Sequence, residues 1–113
     1  MHELAITKSM LDLVLAEAEK AGAKKVGKIS LVIGEMTGVV EDSVRFYFDF
    51  LSKGTRAEGA ALTVTPVAIR AKCRDCDKPF EAREFNWICP HCDSNNLDIV
   101  SGKELSVESI EVD

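Results

Sequence analysis

Four cysteines are the residues of this chain best suited to chemistry, and they fall into two pairs, Cys73-x-x-Cys76 and Cys89-x-x-Cys92. A two-residue gap lets one tight turn present two thiolates to one ion, with N–H groups of the turn facing the sulfurs. Two such knuckles complete a tetrahedron of sulfur, which suits zinc. No cysteine is left over and no coordination position stays open for water, so the spacing points to a structural ion rather than a hydrolytic one. The segment Cys89-Pro90-His91-Cys92 also resembles an iron knuckle of the rubredoxin type, and a tetrahedral sulfur site does not choose between zinc and iron by geometry alone. A thioredoxin-like redox pair would need one motif, not two matched ones. Disulfides would need an oxidising compartment, for which the start of the chain carries no signal.

The only histidines are His2 and His91. His91 lies inside the second knuckle and is expected at the surface. A histidine at a chain start is ordinarily a frayed surface residue. His2 nevertheless has a chemical option, because an imidazole beside a chain end can chelate a metal together with nearby deprotonated backbone nitrogens. Nitrogen donors of that kind suit nickel or copper in tetragonal geometry. Glu3 adds a carboxylate at the same place.

The balance of the remaining residues excludes several functions. With 14 basic and 19 acidic residues the formal charge is −5. Residues 70–103, which hold all four cysteines, carry as many acidic as basic side chains. A ribbon that grips phosphates needs a surplus of lysine and arginine, so nucleic acid is not the expected partner. No apolar run is long enough to cross a membrane. Neither a nucleophile motif nor a phosphate-cradling glycine loop is present, and the chain reads as a cytoplasmic binding protein rather than an enzyme.

The elements that must position these residues follow from periodicity. Residues 3–21 predict an amphipathic helix with Leu4, Leu11, Val14, Leu15 and Ala18 on its buried face, ending at Ala21-Gly22. Residues 26–34 predict a strand with Ile29, Leu31 and Ile33 turned to one side. A second helix follows, capped by Asp42 or Ser43, with Val44, Tyr47, Phe48 and Leu51 inward and Gly54 closing it. Residues 61–69 predict a strand in which Pro66 demands an edge or a bulge. Residues 104–112 predict another with a slip in phase, its Glu104, Glu108 and Glu111 exposed. A crossover makes the first two strands parallel, and the last two are expected to pair antiparallel.

Residues 70–103 are too long for a plain loop. The expected fold class is α/β, a two-helix, three-stranded mixed-sheet domain of residues 1–69 plus 104–113. An inserted four-cysteine, zinc-ribbon-like module of residues 70–103 is mounted where residues 69 and 104 meet. Trp87 and Phe80 are expected to pack round the metal.

The start Met1-His2-Glu3-Leu4, the Gly34-Glu35 step after the first strand and the paired CxxC motifs together resemble the HypA/HybF family of NiFe-hydrogenase nickel metallochaperones, over essentially the whole chain. That resemblance implies transferable nickel at His2, with backbone nitrogens of His2 and Glu3 as further donors. It implies structural zinc at Cys73, Cys76, Cys89 and Cys92. It also implies the HypB GTPase and the hydrogenase large-subunit precursor as partners, and in some members a urease accessory protein. It is compatible with a monomer or a homodimer. Some members place a histidine just after the last zinc cysteine. This chain has Asp93-Ser94-Asn95-Asn96 there, which removes that donor. An acidic loop ligand of some members could correspond to Glu41 or Asp42.

Overall fold

The computed structural model describes residues 3–82 and 87–113. Its organising element is strand β1, Val26–Gly34, whose Val26, Ile29, Leu31 and Ile33 are all buried. Helix α1, Glu3–Lys20, packs on the inward face through Thr7, Leu11, Val14 and Ala18. It stops as the sequence requires. Gly22 adopts φ +66, and the N–H groups of Gly22 and Ala23 close back onto Glu19 and Ala18, which satisfies carbonyls that the helix end would leave bare. Leu4 does not join the core; it is half exposed, as is Leu13. The stripe is set by positions 7, 11, 14 and 18, and Leu4 falls at its margin in the first turn.

A short 3-10 turn, Glu35–Thr37, leads to helix α2, Glu41–Leu51. Val44 and Phe48 are buried there and Tyr47 and Leu51 half-buried, so the inward face is the expected one. The cap differs. The N-cap residue is Val40 and no side chain of α2 caps it. Instead the Glu3 carboxylate accepts the Val40 N–H at 3.2 Å. The first residue of α1 thus satisfies the N-cap residue's own N–H from across the fold, and neither Asp42 nor Ser43 caps the helix. The helix also ends at Leu51 rather than at Gly54, where the chain turns through Thr55, whose hydroxyl donates to the Ser52 carbonyl.

Strand β2, Ala61–Val67, runs parallel to β1, with Ile33 opposite Pro66. It is an edge strand, where a missing N–H is tolerated. The remaining pairing corrects the sequence expectation. The C-terminal strand, Leu105–Val112 (β6 once the intervening strands are numbered), does not pair with β2. It lies antiparallel on the opposite side of β1, giving the order β2-β1-β6. The strand buried most completely takes the centre, and the two less apolar strands flank it. The phase slip in β6 is real: Ser30 faces Ser109 and Leu31 faces Val107, leaving Glu108 as the extra residue of a bulge.

Between β2 and β6 the chain builds a second sheet that the sequence reading did not resolve. Strands β3, Arg70–Cys73, β4, Pro79–Glu81, and β5, Leu97–Ser101, pair antiparallel in the order β4-β3-β5. The two sheets meet where residues 69 and 104 were expected to approach. The Ser101 hydroxyl donates to the Ala68 carbonyl at 2.9 Å, and Gly102, at φ +107, lies against Ile69. Gly34 passes so close that a Cβ there would sit 2.1 Å from the Gly102 carbonyl oxygen. Its N–H donates to Glu104 and the Met36 N–H donates to Gly102. No helix among the described residues is long and apolar enough to cross a membrane.

Candidate metal centre

Each cysteine pair sits in a turn of the same construction. The Cys73 N–H donates to the Lys78 carbonyl at 3.1 Å and the Asp77 N–H to the Cys73 carbonyl at 2.9 Å. In the second knuckle the Cys89 N–H donates to Ser94 at 2.8 Å and the Asp93 N–H to Cys89 at 2.9 Å. Both turns place the residue after the second cysteine in the left-handed region, Asp77 at φ 63 and Asp93 at φ 61. Aspartate tolerates that region better than most side chains. The signal was present in the sequence as Cys-x-x-Cys-Asp occurring twice, and was not read.

These turns bring all four sulfurs within 4.8 Å of one another. Cys73 Sγ lies 3.5 Å from Cys92 Sγ, and Cys76 Sγ lies 3.6 Å from Cys89 Sγ. A tetrahedral zinc with four thiolates at its usual bond length needs sulfurs about 3.8 Å apart, so the cluster fits one such ion. It is too open for disulfides, which need sulfurs about 2 Å apart. Cys73 and Cys89 are fully buried, Cys76 is half-buried and Cys92 exposed. His91 lies at the surface, its N–H turned to Cys89 Sγ at 3.4 Å.

The thiols differ in acidity. The Cys76 N–H, opposed by burial and aided by the Asp75 N–H, pulls the Cys73 thiol down to about 7. The Lys78 N–H draws Cys76 down, but burial and the sulfurs of Cys89 and Cys73 outweigh it and leave that thiol raised. The Ser94 N–H likewise favours the Cys92 thiolate, yet the Cys73 sulfur, burial and the Cys89 sulfur push this thiol up to about 12. Four thiolates this close repel one another, and a dication is the natural counter-charge.

Side chains beyond the cysteines lock one knuckle to the other. Asp75, between the first two cysteines, accepts from the Ser94 hydroxyl and from Asn96 Nδ2. The Arg74 N–H donates to the Asn96 carbonyl at 2.9 Å, and the Arg74 guanidinium grips Asp98. The arginine holds the Asp98 carboxyl below its usual range. Among the described residues Ala71 and Ala82 are buried as the cysteines Cys73 and Cys89 are. Phe80 is half-buried, whereas Trp87 is 36% exposed.

Of the other sequence candidates, His2 lies outside the described residues. Glu3 opens α1, and Glu41 and Asp42 occupy the first turn of α2. The Glu3–Val40 hydrogen bond joins the start of α1 to the segment just before those acids. Glu41 is itself paired with Arg45 at 2.9 Å.

A family model described as hydrogenase/urease nickel incorporation, metallochaperone, hypA matches residues 1–112. The chain belongs to the HypA family. Among HypA relatives, the hydrogenase maturation factor HypA of Caldanaerobacter subterraneus subsp. tengcongensis is 46% identical, each chain being covered in full. That of Dehalococcoides mccartyi strain 195 is 45% identical over all of this chain and 95% of its own. The fold agrees with a solution structure of the Ni metallochaperone HypA from Helicobacter pylori at a TM-score of 0.69, with 24% identity, 99% of this chain and 97% of that one covered. A second HypA solution structure gives 0.73, with 24% identity and 99% and 96% covered. The HypA family is one of maturation factors, and the four-cysteine cluster of this member fits a structural zinc site.

Proposed function

We propose that this HypA chain carries nickel at its N-terminus, on His2 and the backbone nitrogens of His2 and Glu3, and releases it for maturation of a NiFe-hydrogenase. Cys73, Cys76, Cys89 and Cys92 keep a zinc ion throughout. The observation that supports this division is the completeness of the sulfur cluster. Its four donors satisfy one tetrahedral ion, and two of them are fully buried. An ion meant for transfer needs an address with fewer and more accessible donors. The sequence offers a single imidazole away from the knuckles, His2. When bound, zinc supplies a positive charge that neutralises the thiolates and ties the two knuckles together.

On this reading residues 1–69 plus 104–113 form the nickel-handling part and residues 70–103 the zinc part. The chain acts in the cytoplasm without catalysis of its own. The HypB GTPase and the hydrogenase large-subunit precursor are the partners between which nickel passes, and a urease accessory protein is a further recipient in cells that make urease. Glu3, anchored on the Val40 N–H, ties the first turn of α1 to the segment just before Glu41 and Asp42. The test is made in cells lacking this chain, which should contain hydrogenase large subunit without nickel. The wild-type chain should restore nickel and hydrogen uptake, and His2→Ala at equal abundance should not. Full restoration by His2→Ala overturns the assignment.

A further inference from the structure

The four cysteines are sheltered unequally. Cys73 and Cys89 are buried, Cys76 is half-buried and Cys92 is exposed. A small oxidant arriving from solvent therefore meets Cys92 first, and cysteine oxidation follows exposure and thiolate character. A bound zinc keeps its cysteine ligands as thiolates, which is the nucleophilic form. Two sulfur contacts of the cluster cross from one knuckle to the other. Cys73 Sγ lies 3.5 Å from Cys92 Sγ, and Cys76 Sγ lies 3.6 Å from Cys89 Sγ. A bond at the first contact needs its two sulfurs to close by about 1.5 Å.

Contacts that do not involve an ion hold the knuckles in this register. Asp75 accepts from the Ser94 hydroxyl and from Asn96 Nδ2. The Arg74 N–H donates to the Asn96 carbonyl, and the Arg74 guanidinium pairs with Asp98. These bridges join the segment beside Cys73 to the segment just after Cys92. They keep the two sulfurs in contact while the donor set changes. The chain has no cysteine outside the cluster, so each sulfur that is oxidised finds its partner there.

We propose that Cys92 is a site of oxidation by hydrogen peroxide and that Cys73 resolves it, forming a disulfide across the two knuckles with loss of zinc. The Cys92 thiolate attacks one peroxide oxygen, the O–O bond breaks, and a sulfenic acid forms as hydroxide leaves. The Cys73 thiolate then attacks the Cys92 sulfur. The S–O bond breaks, a second hydroxide leaves and the S–S bond forms. Two thiolates are oxidised and one peroxide is reduced to two hydroxides. Cys76 and Cys89 alone supply two of the four donors that a closed zinc site needs. The new bond ties the knuckles together as the ion did, so the β4-β3-β5 sheet keeps its order. Thiol reductants reverse the step by attack on the exposed Cys92 side of the disulfide. The proposal rests on the reading of the cluster as a zinc site and is independent of where nickel binds.

The test uses the full chain, its zinc counted beforehand, treated with hydrogen peroxide beside a chromophoric zinc indicator. Samples taken as zinc appears are digested without reduction and mapped by mass spectrometry. The first disulfide should join Cys73 to Cys92, and zinc should leave in step with it. Reductant and added zinc should restore the starting protein. Limited alkylation of the zinc-loaded chain with iodoacetamide should mark Cys92 ahead of the other three. The oxidised, zinc-free protein should keep amide protection in β3 and β5. A first disulfide within either CxxC pair, between Cys76 and Cys89 or between chains overturns the proposal. So do zinc retained as the disulfide forms, Cys92 driven to sulfinic acid without a disulfide, another cysteine alkylated first, or lost protection in β3 and β5. A chain that holds no zinc at the outset overturns the zinc reading and this proposal together.

Discussion

Cys92 is the exposed residue among the four cysteines, and in the metal-free protein its thiol is pushed up to about 12. Cys73, drawn down to about 7, is largely ionised once the pH exceeds that value. Zinc must therefore displace the protons of Cys92 and of the likewise raised Cys76, and its apparent affinity should rise with pH and collapse in acid. Competition with a chromophoric chelator at several pH values checks this; a flat profile contradicts it. Asp93 is a second residue with a sharp expectation. Its left-handed backbone is tolerated by Asp and Gly but not by a β-branched residue. Asp93→Gly should keep zinc, whereas Asp93→Val should lower stability by about 1–2 kcal/mol, read as a shift in the midpoint of denaturant unfolding. These aspartates escaped the sequence reading because attention to metal ligands ends at the cysteine, while the backbone constraint falls one residue later. The cluster itself was legible, because two equal CxxC pairs in a chain without spare cysteines fit one shared ion, and the four sulfurs do converge.

Where strands and turns cross, Gly34 is the position with no freedom. A methyl group there would overlap the Gly102 carbonyl and crowd the Glu104 N–H. Gly34→Ala should cost about 3 kcal/mol, measured by urea unfolding with an unchanged slope, and should loosen the junction of the two sheets. An effect below a few tenths of a kcal/mol would show that the crossing is slack. The long amphipathic elements α1, β1 and α2 were readable from periodicity because each buries one face against the same core. The partner of β6 was not. Pairing order depends on which strand is buried most completely, and the sequence order of β2 and β6 carries no information about a strand that slots between them. The contact at the start of α2 was missed for a similar reason: Glu3, which accepts the Val40 N–H, lies 37 residues away.

Over the whole molecule, the two sheets rest on different sources of stability. The β2-β1-β6 sheet is covered by α1 and α2 through Leu11, Val14, Ile29, Val44 and Phe48. Among the described residues the β4-β3-β5 sheet buries little beyond alanines and the cysteines, too little apolar area to order three short strands without a cross-link. Removal of zinc by a strong chelator should abolish amide protection in β3, β4 and β5 while α1 and β1 stay protected. Hydrogen exchange resolved by residue checks this, and simultaneous loss of both sheets contradicts it. The short strands could not be seen in the sequence because their apolar alternation is too brief to stand out. A zinc-loaded protein is also colourless, whereas an iron–thiolate centre is red, so the visible spectrum of freshly purified material settles the metal.

The division of two ions between two kinds of donor is tested most directly by metal content. Untagged wild-type protein and the His2→Ala variant are equilibrated with nickel, freed of unbound ions and analysed for nickel and zinc together. The account expects one zinc in both proteins, nickel in the wild type alone and identical circular dichroism. Nickel retained undiminished by His2→Ala, or nickel gained only as zinc is lost from the cysteines, contradicts it.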